Sequence, residues 1–524
     1  KKQWFVAVKN MTEDIIEQAK SMRWVPDHMY HRLENWANSM DWDWCISRQR
    51  IFATPIPVWY CNDCHKVVLP SEEQLPVDPT IDQPDHACSC GCTSFTPEED
   101  VLDTWMDSSI TPLTIADWPN PGWETVYPAT LRPQGHDIIR TWAFYTILRC
   151  YALTGEKPFD ELVINGMVFG EDGHKMSKSL GNVIQPEAVI DEYGADALRL
   201  WSANSVPGAD VPFGWKDIKH AYKFLRKFWN AFRFINMHLD ENVPEELSGD
   251  NIIDKWILSK LNRLNKVVTD AFEEYNFAKA EQAIYDFVWH DFCDEYIEAV
   301  KYRLYEDIDS TADAKYTLKT VIETTLALMA PITPFFSDNV SQYLGKESKE
   351  LHIGGWPELH EEYIDDDVEL IGSYAIDIID ELRRYKSSHG IPLNQLLNTV
   401  NIYTEDVKKI ETTIDDIKNT NKVDNITVQN GKPDLREKVI SMEPIMSKVG
   451  PEFKQHAKDI ISYIASNDPE EIAEKLEKDG QVIVGEVAFT KEHVTTESEL
   501  VSQTGEVVDI LRTEEFDILL EVQQ

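Results

Sequence analysis

The sequence predicts three consecutive parts: an α/β domain with a cysteine-rich insert, an all-α helical bundle, and a C-terminal α+β extension. In the first part, a strand-like apolar run over residues 161–169 is separated by a turn and a basic loop from a helix that begins at Pro186. From Trp215 onward, apolar residues recur at the helical period. Beyond residue 358, short β-like runs alternate with acidic helices. These changes predict boundaries at 1–214, 215–358 and 359–524.

The basic loop between the strand-like run and the helix carries two lysines and two hydroxyl groups. It reads Lys175-Met176-Ser177-Lys178-Ser179. Ammonium groups on such a loop can meet a triphosphate as point charges, and serine hydroxyls can add hydrogen bonds. A loop in this place can also close only when the nucleotide is bound. The alternative is an ordinary exposed basic loop, because lysine and serine often occur together.

Five of the eight cysteines lie between residues 61 and 92. Cys61 and Cys64 have the spacing of a chelating pair, whereas Cys88, Cys90 and Cys92 form a second, irregular group. Two such groups predict a tetrahedral Zn²⁺ site in an insert of about residues 58–97. Four of the five would bind the ion, with Cys61, Cys64 and Cys90 the strongest candidates. A disulfide pair with spare thiols is the alternative interpretation.

Four stretches, in order along the chain, resemble class I aminoacyl-tRNA synthetases of the valyl, isoleucyl and leucyl group. They are residues 43–50, 100–109, 135–142 and 167–182. The second and third stretches resemble valyl enzymes of archaeal type more than isoleucyl ones. The resemblance extends from the first residue to about residue 360. It implies that residues 1–214 form the second half of a Rossmann-type catalytic domain, with the family's signature loop in region 160–214.

The resemblance also implies a role for individual residues. Lys178 would stabilise the negative charge that develops on the phosphates of ATP, with Lys175 second and Ser177 in support. The residues expected to contact the nucleotide or the amino acid are Gly135, Asp137, Trp142, Asn165, Gly166, Val168, Met176 and Ser179.

Residues 135–151 are predicted to form a helix whose N-terminus faces the ligand. Gly135 would allow close approach of the backbone, and Asp137 would accept hydrogen bonds from ribose hydroxyls. Trp142 would line the amino-acid pocket, but it also follows a helical apolar stripe with Ile138 and is equally well explained as a core residue. Asn165 stands where related enzymes often have histidine, so a side-chain contact there is less secure.

The implied reaction is activation of valine by ATP with Mg²⁺, followed by transfer of the valyl group to tRNA(Val). The family's His-x-Gly-His motif does not occur in the sequence. We therefore expect the chain to be the C-terminal portion of a synthetase, without that catalytic half and the editing domain, and to be inactive in isolation. The alternatives are an isoleucyl-type fragment, which residues 101–105 argue against, a non-catalytic tRNA-binding paralogue, and a nucleotide-binding regulator.

The predicted bundle over residues 215–358 resembles the anticodon-binding domain of the same enzymes. Its first helix carries a lysine-rich face that would lie along the tRNA backbone, unless it is simply solvated: Lys216, Lys219, Lys223, Arg226 and Lys227. Residues 359–524 show no sustained heptads, so we expect an α+β extension and no coiled-coil arm.

The overall charge of the chain is strongly acidic. A net charge of -42, from 92 acidic and 50 basic residues, argues on its own against a polyanionic partner such as DNA. The acidic residues are concentrated at 98–100, at 365–367 and across the last third, which leaves room for a local tRNA site. No apolar run approaches membrane-spanning length and no signal peptide opens the chain, so we expect a cytoplasmic protein without a membrane partner.

Overall fold

The computed structural model describes residues 2–240, 243–306, 308–345, 348–502, 508–513 and 515–521. The chain divides into two compact units. The first consists of Lys1–Lys223 with Val267–Ala283, and the second of Phe224–Lys266 with Ile284–Gln524.

A three-stranded parallel sheet organises the first unit. Its strands lie in the order Arg23–Val25, Phe159–Asn165, Ala129–Gly135. Parallel neighbours need a crossover connection, and helices on the sheet supply the apolar cover that both faces require. The core between sheet and helices includes Leu162 and Ile164, both with no exposed surface. The helices of this layer are Thr12–Lys20, Tyr30–Asn38 and Phe144–Thr154.

Short elements complete the first unit. Strand Phe5–Val6 pairs with Trp44–Cys45, Ser47–Arg48 with Val101–Leu102, and Val168–Phe169 with Val211–Pro212. A three-stranded ribbon carries the clustered cysteines and consists of Trp59–Cys61, Val67–Val68 and Phe95–Pro97. The remaining helices are Thr104–Ser108, Thr111–Ile115, Pro186–Tyr193 and Ala195–Ala203. As predicted, Pro186 occupies the first turn of its helix.

The prediction of one helix over residues 135–151 is wrong. Strand pairing holds the backbone of Gly135 extended, at φ −72° and ψ 151°, because Gly135 lies opposite Asn165 in the parallel register. The chain then passes through a 3₁₀ turn, His136–Ile138, and a π-helical turn, Ile139–Ala143, before the α-helix begins at Phe144. The predicted strand over 161–169 is likewise divided, because the segment after Asn165 leaves the sheet and pairs with Val211–Pro212.

The described residues between Trp215 and Tyr343 are mainly helical, as their apolar period predicts. The α-helices are Trp215–Asn236, Ile252–Glu273, Phe277–Asp286, Ile297–Glu306, Thr311–Met329 and Pro334–Tyr343, and a π-helix over Phe287–Tyr296 joins the third to the fourth.

A helix of the predicted C-terminal extension packs on Trp256 in the second unit. The indole Nε1 of Trp256 donates to the hydroxyl of Ser373 at 3.2 Å, and a Cβ on Gly372 would lie 2.5 Å from the same ring. These residues belong to the long helix Asp366–Ser388, which is preceded by the short helix Ser348–Ile353. Gly372 thus permits a close helix–helix approach that a larger residue would prevent.

The rest of the second unit mixes strands and helices, as the α+β prediction requires. A four-stranded sheet has the order Val423–Asn430, Leu397–Thr404, Phe516–Glu521, Val508–Arg512, with the first two strands parallel. A further antiparallel pair, Arg436–Pro444 with Val494–Val501, and a hairpin of Val482–Val484 with Val487–Phe489 follow. The helices are Val407–Glu411, Ile414–Asn421, Met446–Phe453, Ala457–Ser466 and Pro469–Asp479. Among the described helices, none has the length and apolar character that crossing a membrane demands.

Candidate functional site

The carboxyl edge of the parallel sheet brings together several of the predicted site residues. Gly135 and Asn165 end adjacent strands and lie opposite each other in register. Asp137 is exposed two residues beyond Gly135, and Gly166 directly follows Asn165. Ligands of open α/β sheets bind at this edge, where the strands end and the loops begin.

Gly166 is held against a neighbouring segment so tightly that only glycine fits. A Cβ on Gly166 would lie 1.7 Å from the carbonyl oxygen of Ala209. The contact continues along the chain, because the N–H of Val211 donates to the carbonyl of Met167 at 2.9 Å. Val168 follows with 41% of its surface exposed. The backbone at 166–168 is therefore fixed in place while Val168 still reaches solvent.

Two polar residues at this edge were not among the predicted site residues. Oδ1 of Asp210 accepts a hydrogen bond from the N–H of Met167 at 2.7 Å and lies 2.6 Å from Nε2 of His136. The Met167 N–H and then the His136 ring hold the pKa of Asp210 below its usual value. In the sequence, Asp210 is 43 residues from Met167, and no local pattern connects the two.

The signature loop, defined here as residues 170–182, is ordered by a network around Asn182. Oδ1 of Asn182 accepts the N–H of Ser177 at 2.9 Å. Its Nδ2 lies 3.3 Å from both carboxylate oxygens of Asp172 and 3.4 Å from the carbonyl of Lys175. Asn182 thus joins both ends of the loop. Sequence reasoning did not assign it a role, although Asn after Gly is a common turn signal.

The two lysines of the loop project into solvent. Lys175 and Lys178 are both exposed, and the described residues supply no ion-pair partner to either. Between them, Met176 and Ser177 are half-buried, and Oγ of Ser177 lies 3.1 Å from Oγ of Ser179. Two ammonium groups that are not neutralised by carboxylates are suited to bind an anion such as a polyphosphate.

Trp142 is packed beneath Arg132 and is only 6% exposed. The guanidinium carbon of Arg132 lies 3.9 Å from the centre of the indole ring, and burial lowers the pKa of Arg132. The indole Nε1 donates to the carbonyl of Ser108 at 3.0 Å. In this chain Trp142 is a core residue, and its role in an amino-acid pocket stays a prediction.

Four of the five clustered cysteines converge on one point. The sulfur atoms of Cys61, Cys64, Cys88 and Cys90 all lie within 4.8 Å of one another. The closest pairs, Cys61 with Cys90 at 3.6 Å and Cys64 with Cys88 at 3.5 Å, are too far apart for a disulfide bond. The sulfur of Cys92 instead accepts the N–H of Ser94 at 3.3 Å and lies outside the group.

Tight turns in the ribbon bring these thiols together. The N–H of His65 donates to the carbonyl of Cys61, and Gly91, at φ +89°, closes the second turn through a bond to Cys88. Backbone N–H groups favour the thiolate, and that of Cys64 is the main reason why the pKa of Cys61 is lowered to about 6. The thiolate is the form of cysteine that binds a metal ion.

The lysine-rich face of helix Trp215–Asn236 is only partly free. Lys216, Lys219 and Lys223 are exposed, and no described residue forms an ion pair with them. Lys227, in contrast, pairs with Asp294 at 2.6 Å and lies 3.9 Å from the centre of the Trp289 ring. Lys227 therefore has an internal role, which the helical pattern alone did not reveal.

Two family models match the chain. Residues 1–214 match the model for tRNA synthetases of class I (I, L, M and V), and residues 254–402 match the anticodon-binding domain of tRNA ligases. Among solved structures, methionyl-tRNA synthetase from Mycobacterium tuberculosis, bound to methionyl-adenylate, superposes with a TM-score of 0.51 at 18% identity. That match covers 68% of this chain and 65% of the other, and at this identity it establishes similarity of fold alone.

Curated relatives are much more similar in sequence. A valine–tRNA ligase from Methanothermobacter thermautotrophicus is 55% identical over 526 residues, which is 100% of this chain and 59% of the relative. Another from Methanocaldococcus jannaschii is 48% identical, over 97% of this chain and 58% of the relative. The chain thus spans less than two thirds of the length of these relatives. Taken with the signature loop at the sheet edge, these matches show that residues 1–214 are similar to class I tRNA synthetases and that the chain as a whole is similar to part of archaeal valine–tRNA ligases.

Proposed function

We propose that this chain provides the signature-loop half of a valine–tRNA ligase active site together with its tRNA-binding part. The observation that carries the proposal is the position of Lys175 and Lys178 on a loop that follows the carboxyl edge of a parallel sheet, with no ion-pair partner for either ammonium group among the described residues. The 55% identity to a valine–tRNA ligase supports this assignment over other class I activities.

The reaction has two steps that need no nucleophile from the protein. A carboxylate oxygen of valine attacks the α-phosphorus of ATP, and the bond to pyrophosphate breaks. A ribose hydroxyl at the end of tRNA then attacks the carbonyl carbon of valyl-adenylate, and AMP leaves. Catalysis therefore depends on holding the reactants and on stabilising negative charge on the phosphates.

Each residue of the proposed site has a role in that scheme. Lys178 stabilises charge on the phosphates, Lys175 assists it, and Ser177 and Ser179 add hydrogen bonds to the loop or to phosphate oxygens. Gly135 and Asp137 face the ribose, and the segment from Asn165 to Val168 faces the adenine, with Met176 beside the nucleotide. Mg²⁺ enters as part of the ATP substrate.

The absence of a His-x-Gly-His tetrapeptide from these 524 residues limits what they can do alone. A signature loop supplies one side of the ATP site, and the opposing side must supply the remaining contacts to the triphosphate. Losing charged contacts to the transition state costs several kcal/mol, on the order of 2.7–4 kcal/mol for a single oxyanion donor. We expect no valine-dependent pyrophosphate exchange from the isolated chain.

The experiment uses a completed enzyme, in which this chain replaces the segment that it matches in the Methanothermobacter relative. Exchange of labelled pyrophosphate into ATP should depend on valine. Isoleucine at the same concentration should give a rate lower by about tenfold or more, because a pocket built for valine excludes the extra methylene. Exchange that follows isoleucine would favour the isoleucyl alternative. Binding of tRNA without any exchange would favour the non-catalytic paralogue.

We also propose a role for each of the three parts of the chain. Residues 1–214 form the catalytic half, residues 215–358 the anticodon-binding bundle, and residues 359–524 an extension. The exposed Lys216, Lys219 and Lys223 supply local positive charge for the backbone of tRNA(Val), despite the acidic total. The cytoplasm, where tRNA is charged, is the corresponding location.

The cysteine cluster is proposed to hold one structural Zn²⁺. Tetrahedral coordination at about 2.3 Å places sulfur atoms nearly 4 Å apart, close to the separations of Cys61, Cys64, Cys88 and Cys90. Four thiolate donors suit Zn²⁺ and leave no coordination position for a substrate, which is typical of structural sites. The ion would fix the two turns of the ribbon to each other.

A further inference from the structure

Two strand ends are tied together by the carboxylate of Asp210. Its Oδ1 accepts the N–H of Met167 at 2.7 Å and lies 2.6 Å from Nε2 of His136. Met167 is two residues beyond the strand Phe159–Asn165, and His136 directly follows the neighbouring strand Ala129–Gly135. One oxygen atom therefore sets the spacing of two loops that leave the sheet at the candidate nucleotide site.

The location of the pair argues against a role in stability alone. The side chain of His136 is 14% exposed and that of Asp210 is 38% exposed, so the contact lies at the surface of the sheet edge. A contact in such a place lies outside the buried core that stabilises the first unit. The contact between His136 and Asp210 instead fixes the backbone on either side of His136, at Gly135 and Asp137.

The segment that carries Asp210 also touches the backbone proposed for the adenine. The carbonyl of Ala209 lies so close to Gly166 that a Cβ there would be 1.7 Å away. Farther along, Phe169 pairs both with Pro212 and, through an isolated bridge, with Lys175 of the signature loop. A shift of Asp210 would therefore move the adenine-facing backbone and the root of the loop together.

We propose that His136 and Asp210 are positioning residues for ATP, which hold the ribose-facing Asp137 and the adenine-facing backbone at 166–168 in one fixed arrangement. This inference rests on the proposed function. His136 and Asp210 hold the parts of the site that are proposed for the ribose and the adenine of ATP. Their effect is therefore on the binding and orientation of ATP, and it leaves the binding of valine unchanged.

The test compares the steady-state constants of variants of the completed enzyme. His136→Ala and Asp210→Ala should each raise the KM for ATP in pyrophosphate exchange on the order of tenfold or more, the value of a charge-assisted hydrogen bond. The KM for valine should change by less than about twofold, because the substitutions weaken the binding of ATP and not that of valine. Asp210→Asn should stay within about threefold of the unsubstituted enzyme, because a single amide oxygen can accept both bonds that Oδ1 accepts.

Controls separate positioning from folding. His31→Ala removes another histidine–carboxylate contact of the same unit, the one to Glu34 at 3.0 Å, and should leave both constants unchanged. If Asp210→Ala unfolds, His136→Ala still decides the question, because it leaves the bond from Met167 to Asp210 in place. An unchanged KM for ATP in His136→Ala would overturn the proposal. Equal increases in the KM values for ATP and valine, together with a lower melting temperature, would also overturn it, because a general loss of folding would then explain both. Absence of valine-dependent exchange in the unsubstituted completed enzyme would instead refute the proposed function.

Discussion

Replacing Asn182 with alanine should slow the activation of valine by disordering the signature loop. Asn182 accepts the N–H of Ser177 at 2.9 Å and reaches Asp172 at 3.3 Å and the carbonyl of Lys175 at 3.4 Å. A neutral hydrogen bond contributes about 0.5–1.5 kcal/mol and a charge-assisted one about 1.5–3 kcal/mol. The two bonds to the backbone of Ser177 and Lys175 together account for about 2 kcal/mol, and the contact with the exposed Asp172 is not counted.

A loss of that size corresponds to about a 30-fold lower rate of pyrophosphate exchange at saturating ATP and valine. The effect falls on the rate because the loop must be ordered only when charge develops on the phosphates. Asn182→Asp keeps the acceptor for Ser177 but places a second carboxylate beside Asp172, so its rate should be no higher than that of Asn182→Ala. Asn38→Ala, at an exposed position of the same unit, is the matched control. A rate for Asn182→Ala within about twofold of the control would refute this account of the loop.

Three further expectations concern other parts of the chain. Purified protein should contain one equivalent of Zn²⁺ that Cys61→Ser abolishes and Cys92→Ser retains; metal retained in Cys61→Ser would rule out the proposed site. Reversing the charge of Lys219 and Lys223 to glutamate should weaken tRNA(Val) binding and reduce its dependence on salt, as measured by filter binding from low to high salt, whereas unchanged affinity and slope would identify a merely solvated face. Burial, followed by the nearby acidic groups, raises the pKa of Glu295 to about 7, so its ionisation destabilises the folded state as the pH rises from 4.5 to 7. Glu295→Gln should therefore raise the melting temperature at pH 8 but not at pH 4, and an equal effect at both pH values would contradict this.

The periodic parts of the fold were predictable because they follow from local chemistry. The apolar stripe from Trp215 predicted helices, and Trp215–Asn236 begins where that stripe begins. Pro186 marked a helix start that the structure reproduces. The helix predicted to begin at Gly135 failed for a non-local reason, because strand Ala129–Gly135 pairs with a segment 30 residues later along the chain and holds Gly135 extended.

The residues of the candidate site also divide into those that a local pattern predicts and those that depend on distant parts of the chain. A linear motif identified Lys175 and Lys178, since both belong to one short loop. No sequence pattern predicted Asp210 as a site residue, because its partners, Met167 and His136, lie 43 and 74 positions away. The cysteine spacing predicted a cluster of thiols, but only the folded ribbon shows that Cys88 belongs to this cluster and Cys92 does not. The role of Asp210 and the choice among the cysteines depend on contacts between distant segments, which no local pattern of one sequence encodes.

The central claim is that the signature loop stabilises the transition state for valine activation, and Lys178→Ala in the completed enzyme tests it most directly. The rate of pyrophosphate exchange should fall on the order of 100-fold or more, because a charged contact to the developing phosphate charge is lost. The dissociation constant for valine should stay near that of the unsubstituted enzyme, because the contact strengthens mainly in the transition state. Lys9→Ala, at another exposed lysine of the same unit, should change neither quantity. A Lys178→Ala enzyme with a normal exchange rate would contradict the role assigned to the loop.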